Sequence, residues 1–184
     1  MYISLINLIK GLKQIVEANI DQINDLIQYY RKSDSLHVFE GLRKTLPLSA
    51  YPSLEFEPSS ASTEWTTTSA QTGEYTIECY LTVHNDNEEL NAEYISEVAR
   101  KIVKLFNFPT NMSFPIPNEF FPDGSPIYVQ YGNVPNITYR STRDGSITVA
   151  QFSWVGRVLE PFVLNGLNGP AEVNWKEDKK QGEE

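Results

Sequence analysis

The first thirty residues carry apolar side chains at helical spacing. The 3.6-residue period runs without interruption and predicts one long amphipathic helix over residues 3–30, slackened at Gly11. A shorter helical pattern covers residues 36–46 and is stopped by Pro47. The apolar positions of the long stripe are Leu5, Leu8, Ile9, Leu12, Ile15, Val16, Ile20, Ile23, Leu26, Ile27 and Tyr30.

A strict alternation of apolar and polar residues follows at 74–84 and is typical of a half-buried strand. Its apolar face holds Tyr75, Ile77, Cys79, Leu81 and Val83. Residues 54–57 predict a short strand before it. The Ser- and Thr-rich stretch 58–73 between the two strands predicts a long, polar and mobile loop.

A second amphipathic helix is predicted to begin after Asn85. Asn85 and Glu88 have the spacing of a capping box, and basic residues fill the last turn. The expected buried stripe consists of Leu90, Tyr94, Val98, Ile102 and Leu105.

The C-terminal part is predicted to be rich in strands. Residues 108–126 hold five of the eleven prolines and predict an irregular arm. Strands are expected at 127–131, 136–140 and 146–155, the last two joined by a hairpin turn. A short apolar run at 158–164 comes next.

Strands without regular βαβ alternation favour an α+β fold. We expect a mixed or antiparallel sheet packed with the long N-terminal helix and the second amphipathic helix. One domain is predicted over 1–170, including the arm, and a charged, flexible tail over 171–184.

Composition narrows the function. The net charge is −9, and such an acidic surface argues against non-specific nucleic-acid binding. No stretch approaches the roughly 18 apolar residues of a membrane span, so no membrane partner is expected. The one cysteine, Cys79, excludes an intrachain disulfide and a Cys-rich metal site.

The pattern of reactive side chains favours a protein without catalysis, cofactor or metal. Cys79 and His84 lie five residues apart on one strand, so they should emerge on opposite faces. Glu55 and Glu57 share a strand face and could form an acid pair, but a solvated face is the preferred interpretation. The acids at 86–93 near His84 could imitate a hard-metal site, yet helix capping explains them.

Four aromatic residues are candidates for a subunit interface. Trp65 stands in the polar stretch before the long strand, where a large apolar side chain either anchors a partner or packs against its own domain. Phe114, Phe120 and Phe121 lie in the Pro-rich arm, which is not expected to build its own core. The sequence thus offers two different surfaces for contact with other subunits.

The order of segments over residues 1–107 resembles the tail-terminator family of bacteriophages. The resemblance rests on 50–58 (AYPSLEFEP), 63–67 (TEWTT), 75–83 (YTIECYLTV) and 91–106 (NAEYISEVARKIVKLF). In that family an N-terminal helix leads to a Tyr-Pro and a strand, then a polar loop, a long strand and an amphipathic helix. The Pro-rich arm departs from this pattern.

The resemblance implies a homo-oligomer, a hexameric ring that caps the tail tube and joins it to the head and neck proteins. Such a ring belongs to the virion at the tail–head junction and is assembled in the host cytoplasm. DNA passes through its lumen without specific binding, which suits a negative charge. No catalytic residue or cofactor is implied.

Other readings of the sequence stay open. The chain could be another head–tail connector or tail component. It could be a small peptide-binding adaptor that uses Trp65 and the arm, or a hydrolase that uses Glu55 and Glu57. The oligomeric state separates the ring from the adaptor, and loss of turnover on carboxylate substitution would identify the hydrolase.

Removal of residues 176–184 is expected to leave folding intact, because the segment is charged and has no apolar anchor. Thermal unfolding of the truncated chain should match that of the full chain. A large fall in melting temperature would mean that the segment docks on the domain.

Overall fold

The computed structural model describes residues 4–43, 45–65, 70–84, 88–116, 127–141 and 146–161. Within these residues the fold is α+β, as the sequence predicts, and it consists of three α-helices and a seven-stranded mixed sheet. The elements in chain order are α1 Leu5–Glu17, α2 Ile20–Tyr30, β1 His37–Glu40, a 3₁₀ turn Leu48–Ala50, β2 Ser53–Trp65, β3 Ala70–His84, α3 Glu88–Phe106, β4 Pro115–Ile116, β5 Ile127–Asn133, β6 Ile137–Ser141 and β7 Ile147–Pro161.

The centre of the sheet is the antiparallel pair β3 and β7, which pair along their full lengths. β2 pairs antiparallel with the other side of β3, and β1 runs parallel to the first residues of β2. On the far side of β7, β6 and β5 lie end to end, and β4 pairs with β5. One end of the sheet therefore has the order β1-β2-β3-β7-β6, and the other end has the order β2-β3-β7-β5-β4.

The described helices lie against one face of the sheet. α1 and α3 contact the strands directly, and α2 contacts α3. Phe106 of α3 packs between Phe56 and Phe152, with ring centroids 6.5 and 6.4 Å apart. The alternation predicted for β3 is confirmed, since its odd-numbered apolar residues from Tyr75 to Val83 are buried. We call the other side, where the even-numbered residues of β3 lie, the open face.

The predicted single N-terminal helix is wrong in one respect, because the chain forms two helices. α1 ends at Glu17, and the Asn19 side chain donates a hydrogen bond to the Ile15 carbonyl oxygen at 2.9 Å. The break lies at residues 18–19 rather than at Gly11. The apolar stripe continues in phase across this break from Val16 to Ile23, so periodicity alone could not reveal it.

The helix predicted over 36–46 is also wrong, because this segment contains strand β1. Its backbone pairs with residues 53–56 of β2, a partner that the local pattern does not show. Gly41 ends the strand with a φ of +100°, a conformation that suits glycine, and its N–H donates to the Phe56 carbonyl oxygen. Long-range strand pairing here overrides local helical spacing.

The polar loop predicted over 58–73 is wrong for every part of it that the structure describes. Residues 58–65 continue β2 and residues 70–73 begin β3, and the two strands pair as far as Trp65 and Gln71. A bulge between Pro58 and Ser60 accommodates the proline. Residues 58–62 are exposed on both faces, because the hairpin extends past the helices. Such a strand lacks an apolar alternation and therefore resembles a loop in sequence.

The remaining elements agree more closely with their predictions. α3 has its expected stripe at Tyr94, Val98 and Ile102, although Leu105 is only partly buried and the Leu90 side chain lies outside the described part of the structure. Strands β5, β6 and β7 are confirmed, and β7 continues into the run predicted separately at 158–164. Asn85, the turn at 142–145 and residues 162–184, including the tail, lie outside the described residues. Among the described helices, none is both long and apolar enough to cross a membrane.

The Trp154 ring fills a niche that two glycines create on the helix-covered face. Gly132 and Gly156 face each other across β5 and β7, and a Cβ atom on either would overlap the Trp154 ring. Trp154 is fully buried, and the Phe114 ring packs against it with centroids 5.9 Å apart. Glycine at both positions is thus required by packing.

Gly156→Ala is expected to destabilise the fold by about 1–3 kcal/mol, because the added methyl group collides with a ring that has no free space. Urea unfolding measures the change. The same substitution in a Trp154→Leu background should cost clearly less, since the smaller side chain leaves room. Equal costs in the two backgrounds would show that the ring contact is not the cause.

Candidate functional site

Phe114 belongs to the core of the subunit, so the expectation that it stays outside a core is wrong. Only 7% of its surface is exposed, and its ring lies against Trp154 and over Gly11. Its carbonyl oxygen accepts a hydrogen bond from the Val129 N–H at 2.9 Å, which starts the pairing of this segment with β5. The beginning of the Pro-rich arm is therefore packed into the domain, and deleting it would test folding rather than assembly.

The other three interface candidates stay predictions. Trp65 is the last residue of β2, and its backbone pairs with that of Gln71. The Trp65 side chain lies outside the described part of the structure. Phe120 and Phe121 also lie outside the described residues.

The open face carries an ordered network of carboxylates and their donors. Glu57 and Glu78 stand directly opposite each other on β2 and β3, a like-charged pair. The Tyr80 hydroxyl donates to Glu57 at 3.2 Å, and the Ser153 hydroxyl lies 2.8 Å and 2.9 Å from the two Glu78 oxygens. These donors stabilise the two charges and hold the side chains in place. The result is a polar sheet surface with fixed geometry.

Glu55 is buried, which the sequence did not predict. Only 6% of its surface is exposed, its Oε1 atom has no hydrogen-bond partner, and the same is true of the Ser53 hydroxyl. Burial raises the pKa of Glu55, while the Arg43 backbone N–H and the Arg43 charge oppose the rise. The expectation of a solvated strand face is therefore wrong for Glu55, because the segment after β1 lies against it.

The arrangement gives little support to an acid pair at Glu55 and Glu57. Both residues point to the open face, as their spacing predicts, but Glu55 is covered and Glu57 accepts the Tyr80 hydroxyl. A general acid or base must reach a substrate atom, and Glu55 has no such access in this conformation. The two carboxylates therefore lie in different local environments and do not form one reacting centre.

Cys79 and His84 lie on opposite faces of β3, as predicted. Cys79 is fully buried among core residues, and burial raises the pKa of its thiol well above the ordinary value. The His84 ring stacks on Tyr51 with centroids 5.9 Å apart. A thiol in this environment is a core group and a poor nucleophile.

The acids near His84 are only partly described. Glu93 accepts a hydrogen bond from the Tyr30 hydroxyl at 3.4 Å, whereas Asp86 and the side chains of Glu88 and Glu89 lie outside the described residues. Among the side chains that the structure describes, no group of three or more His, Cys, Asp or Glu residues comes together as a metal site.

The sheet edges without a partner strand among the described residues include the short terminal strands β1 and β4, and two longer stretches on β2 and β6. β1 covers only residues 53–56 of β2, so the edge of β2 beyond Glu57 is open. The outer edge of β6 is open as well, and four of its five residues are exposed. Unpaired backbone groups at such edges are ready to pair with another chain.

Exposed tyrosines lie on β5 and β6, the two strands that pair with the edge of β7 opposite β3. Tyr128 and Tyr131 on β5 are 56% and 47% exposed, and Tyr139 on β6 is 45% exposed. Tyrosine is enriched at protein interfaces, so this side is a candidate contact surface. The sequence reasoning missed it, because a strand pattern shows alternation but not which strand ends the sheet.

Glu55→Gln is expected to stabilise the fold at neutral pH and to have no such effect in acid. The folded-state pKa of Glu55 lies above the ordinary value of 4.5. The folded state therefore binds the proton more tightly than the unfolded state, and stability falls as the pH rises through the folded pKa. The side-chain amide of the Glu55→Gln variant has no proton to release in this range, so the variant does not lose stability as the pH rises.

Urea unfolding between pH 4 and pH 8 measures the difference between the variant and the native chain. Glu64→Gln on the same strand is the surface control, since Glu64 is exposed. A gap of constant size over the whole pH range would contradict the explanation by burial.

The comparisons with known proteins identify a shared fold. No protein-family model matches the chain, and no curated protein matches it. Among solved structures, a chain from "Virion of native gene transfer agent (GTA) particle" superposes with a TM-score of 0.51 at 10% identity. The match covers 83% of this chain and 94% of that chain. This chain therefore has the same fold as a protein chain found in a phage-like particle.

Proposed function

We propose that this chain is a structural subunit of a phage-like virion. The observation that carries the proposal is the fold shared with a chain of a gene transfer agent virion, over 94% of that chain's length. The resemblance of residues 1–107 to tail terminators implies the same kind of particle. The structural comparison therefore supports the class of assembly that the resemblance implies.

Within that class, the proposed role is that of a tail terminator. A hexameric ring of this chain would cap the tail tube, contact the neck proteins above it and let DNA pass through its centre. A ring requires two different surfaces on each subunit, and the open edges of β2 and β6 meet this requirement. A net charge of −9 would limit adhesion of the ring to passing DNA.

The proposed role needs no catalysis. The buried environments of Glu55 and Cys79 are consistent with this view, since neither group is placed to reach a substrate. Another head–tail connector or tail component is the second candidate, because the same shared fold supports it.

A stop codon within α1, introduced into the gene of the phage-like element that encodes the chain, tests the proposal. Tails of uncontrolled length that fail to join heads are expected, because a terminator both ends the tube and joins it. A stop codon after Trp175 is the matched control and should give normal particles. A plasmid copy of the gene should restore joining in the first mutant.

The outcomes separate the candidates. Tails of normal length that lack heads would reject the terminator role and favour the connector. Normal, complete particles without this protein would reject the structural role altogether.

A further inference from the structure

We infer that neighbouring copies of this chain pair the open edge of β2 in one copy with β6 in the next, so that one sheet continues around the ring. The inference rests on the proposed function, since it assigns the contact within the proposed ring. It names a second copy of the chain as the partner of both open edges.

The two edges are suited to each other in direction and in facing. β2 runs parallel to β7, and β6 runs antiparallel to β7, so β6 would meet the next β2 antiparallel. Tyr139 pairs with Ala150, and Ala61 pairs with Tyr75. Ala150 and Tyr75 are buried on the helix-covered face, so Tyr139 and Ala61 share that face. Pairing them keeps every helix on one side of the continued sheet.

Charge and side-chain character also match. β6 carries Tyr139 and Arg140, which are exposed, whereas the β2 edge is built of small Ser and Thr residues with Glu57 and Glu64. With Tyr139 opposite Ala61, Arg140 would lie diagonally from Glu57, where a long side chain can reach. An acidic edge therefore meets a basic and aromatic edge, which a heterologous contact requires.

The positions of the edges predict how the strands lie in the ring. Both residues can be placed along β7 by following the strand pairing. Tyr139 lies opposite Ala150 of β7, whereas Ala61 lies opposite Tyr75, which in turn lies opposite Gly156 of β7. The edges are therefore offset by about 20 Å along the strands, for a rise of about 3.3 Å per residue. Across the sheet, each copy contributes the four strands β2, β3, β7 and β6, so the repeat from one copy to the next is about 19 Å at a spacing of about 4.8 Å. The two lengths give a strand tilt of about 45°, close to the 35–45° that closed barrels adopt.

The strand tilt allows a series of these edge contacts to close into a ring. If the strands ran along the ring axis, the offset of about 20 Å would shift each copy along that axis, and the copies would form a helix. With the strands inclined by about 45°, each contact moves only around the axis, and six copies would form a barrel of about 24 strands.

Cysteine cross-linking tests the pairing. The Cα atoms of facing residues in antiparallel strands lie about 4.5–5.5 Å apart, within the range that a disulfide bridges. Ala61→Cys is combined with Tyr139→Cys, and with Ile137→Cys or Ser141→Cys to allow for a shift of two residues. Ala61→Cys with Thr138→Cys is the matched control, because those side chains emerge on opposite faces. The buried native Cys79 stays in place, and single variants report any part that it takes.

Mild oxidation of at least one of the three in-phase pairs should give a ladder of covalent oligomers, ending in a closed ring on non-reducing gels. The control pair and the single variants should stay monomeric. Monomers from all three in-phase pairs, or equal cross-linking by the control pair, would overturn the inference.

Charge reversal gives a second test with separate readout. Arg140→Glu should weaken self-association in sedimentation experiments by about tenfold, and Glu57→Arg in the same chain should restore most of it. Unchanged association in Arg140→Glu would contradict the proposed register.

Failure of the inference can be distinguished from failure of the proposed function. Rings visible by electron microscopy without these cross-links would reject the β2–β6 contact and leave the terminator role standing. Cross-linked rings of a protein that is absent from purified particles would reject the role and leave the contact standing.

Discussion

Strands β3 and β7 pair along their whole lengths, and the other described strands are aligned directly or indirectly on this ladder. Both strands are fifteen residues long, and every residue from Ala70 to His84 has a partner between Ile147 and Pro161. This ladder joins segments that lie more than sixty residues apart in sequence. It fixes which side chains face the helices, and its length carries the sheet past the helices into an exposed extension. The edge of β2 is open because β1 covers only its first residues, and that of β6 is open because no described strand lies beyond it.

The spacing of apolar residues correctly predicted an element and its buried face where only one face of that element is covered. The alternation in β3 and the stripe of α3 both reflect a single covered face, so the sequence alone predicted their faces. The predictions were wrong at β1 and in the distal part of β2. β1 is defined by its partner Ser53–Phe56 rather than by its own pattern, and residues 58–62 have solvent on both faces. In neither case does the sequence show a period that reports the strand.

Burial of single polar or aromatic residues was equally hard to predict. Glu55 alternates correctly with Leu54 and Phe56, yet a segment twelve residues earlier covers it. Phe114 stands among prolines, yet it reaches the niche that Gly132 and Gly156 open beside Trp154. Both outcomes depend on contacts between distant parts of the chain. The sequence could place residues on faces, but it could not tell which faces become covered.

The open edges of β2 and β6 provide a physical basis for assembly. A subunit with unpaired stretches of backbone at the edges of its sheet risks indiscriminate pairing. Pro58 with its bulge, and the acids at Glu57 and Glu64, limit such pairing at β2. Selective protection of this kind is expected where an edge must wait for one partner. It suits a subunit that assembles on a template such as a tail tube.

Electron cryomicroscopy of purified particles that contain this protein would show where it lies and how its copies meet. We expect a single ring of copies at the junction of head and tail tube, with adjacent sheets continuous through β2 and β6. Density for this chain elsewhere in the particle, or no density for it in complete particles, would contradict the proposed role.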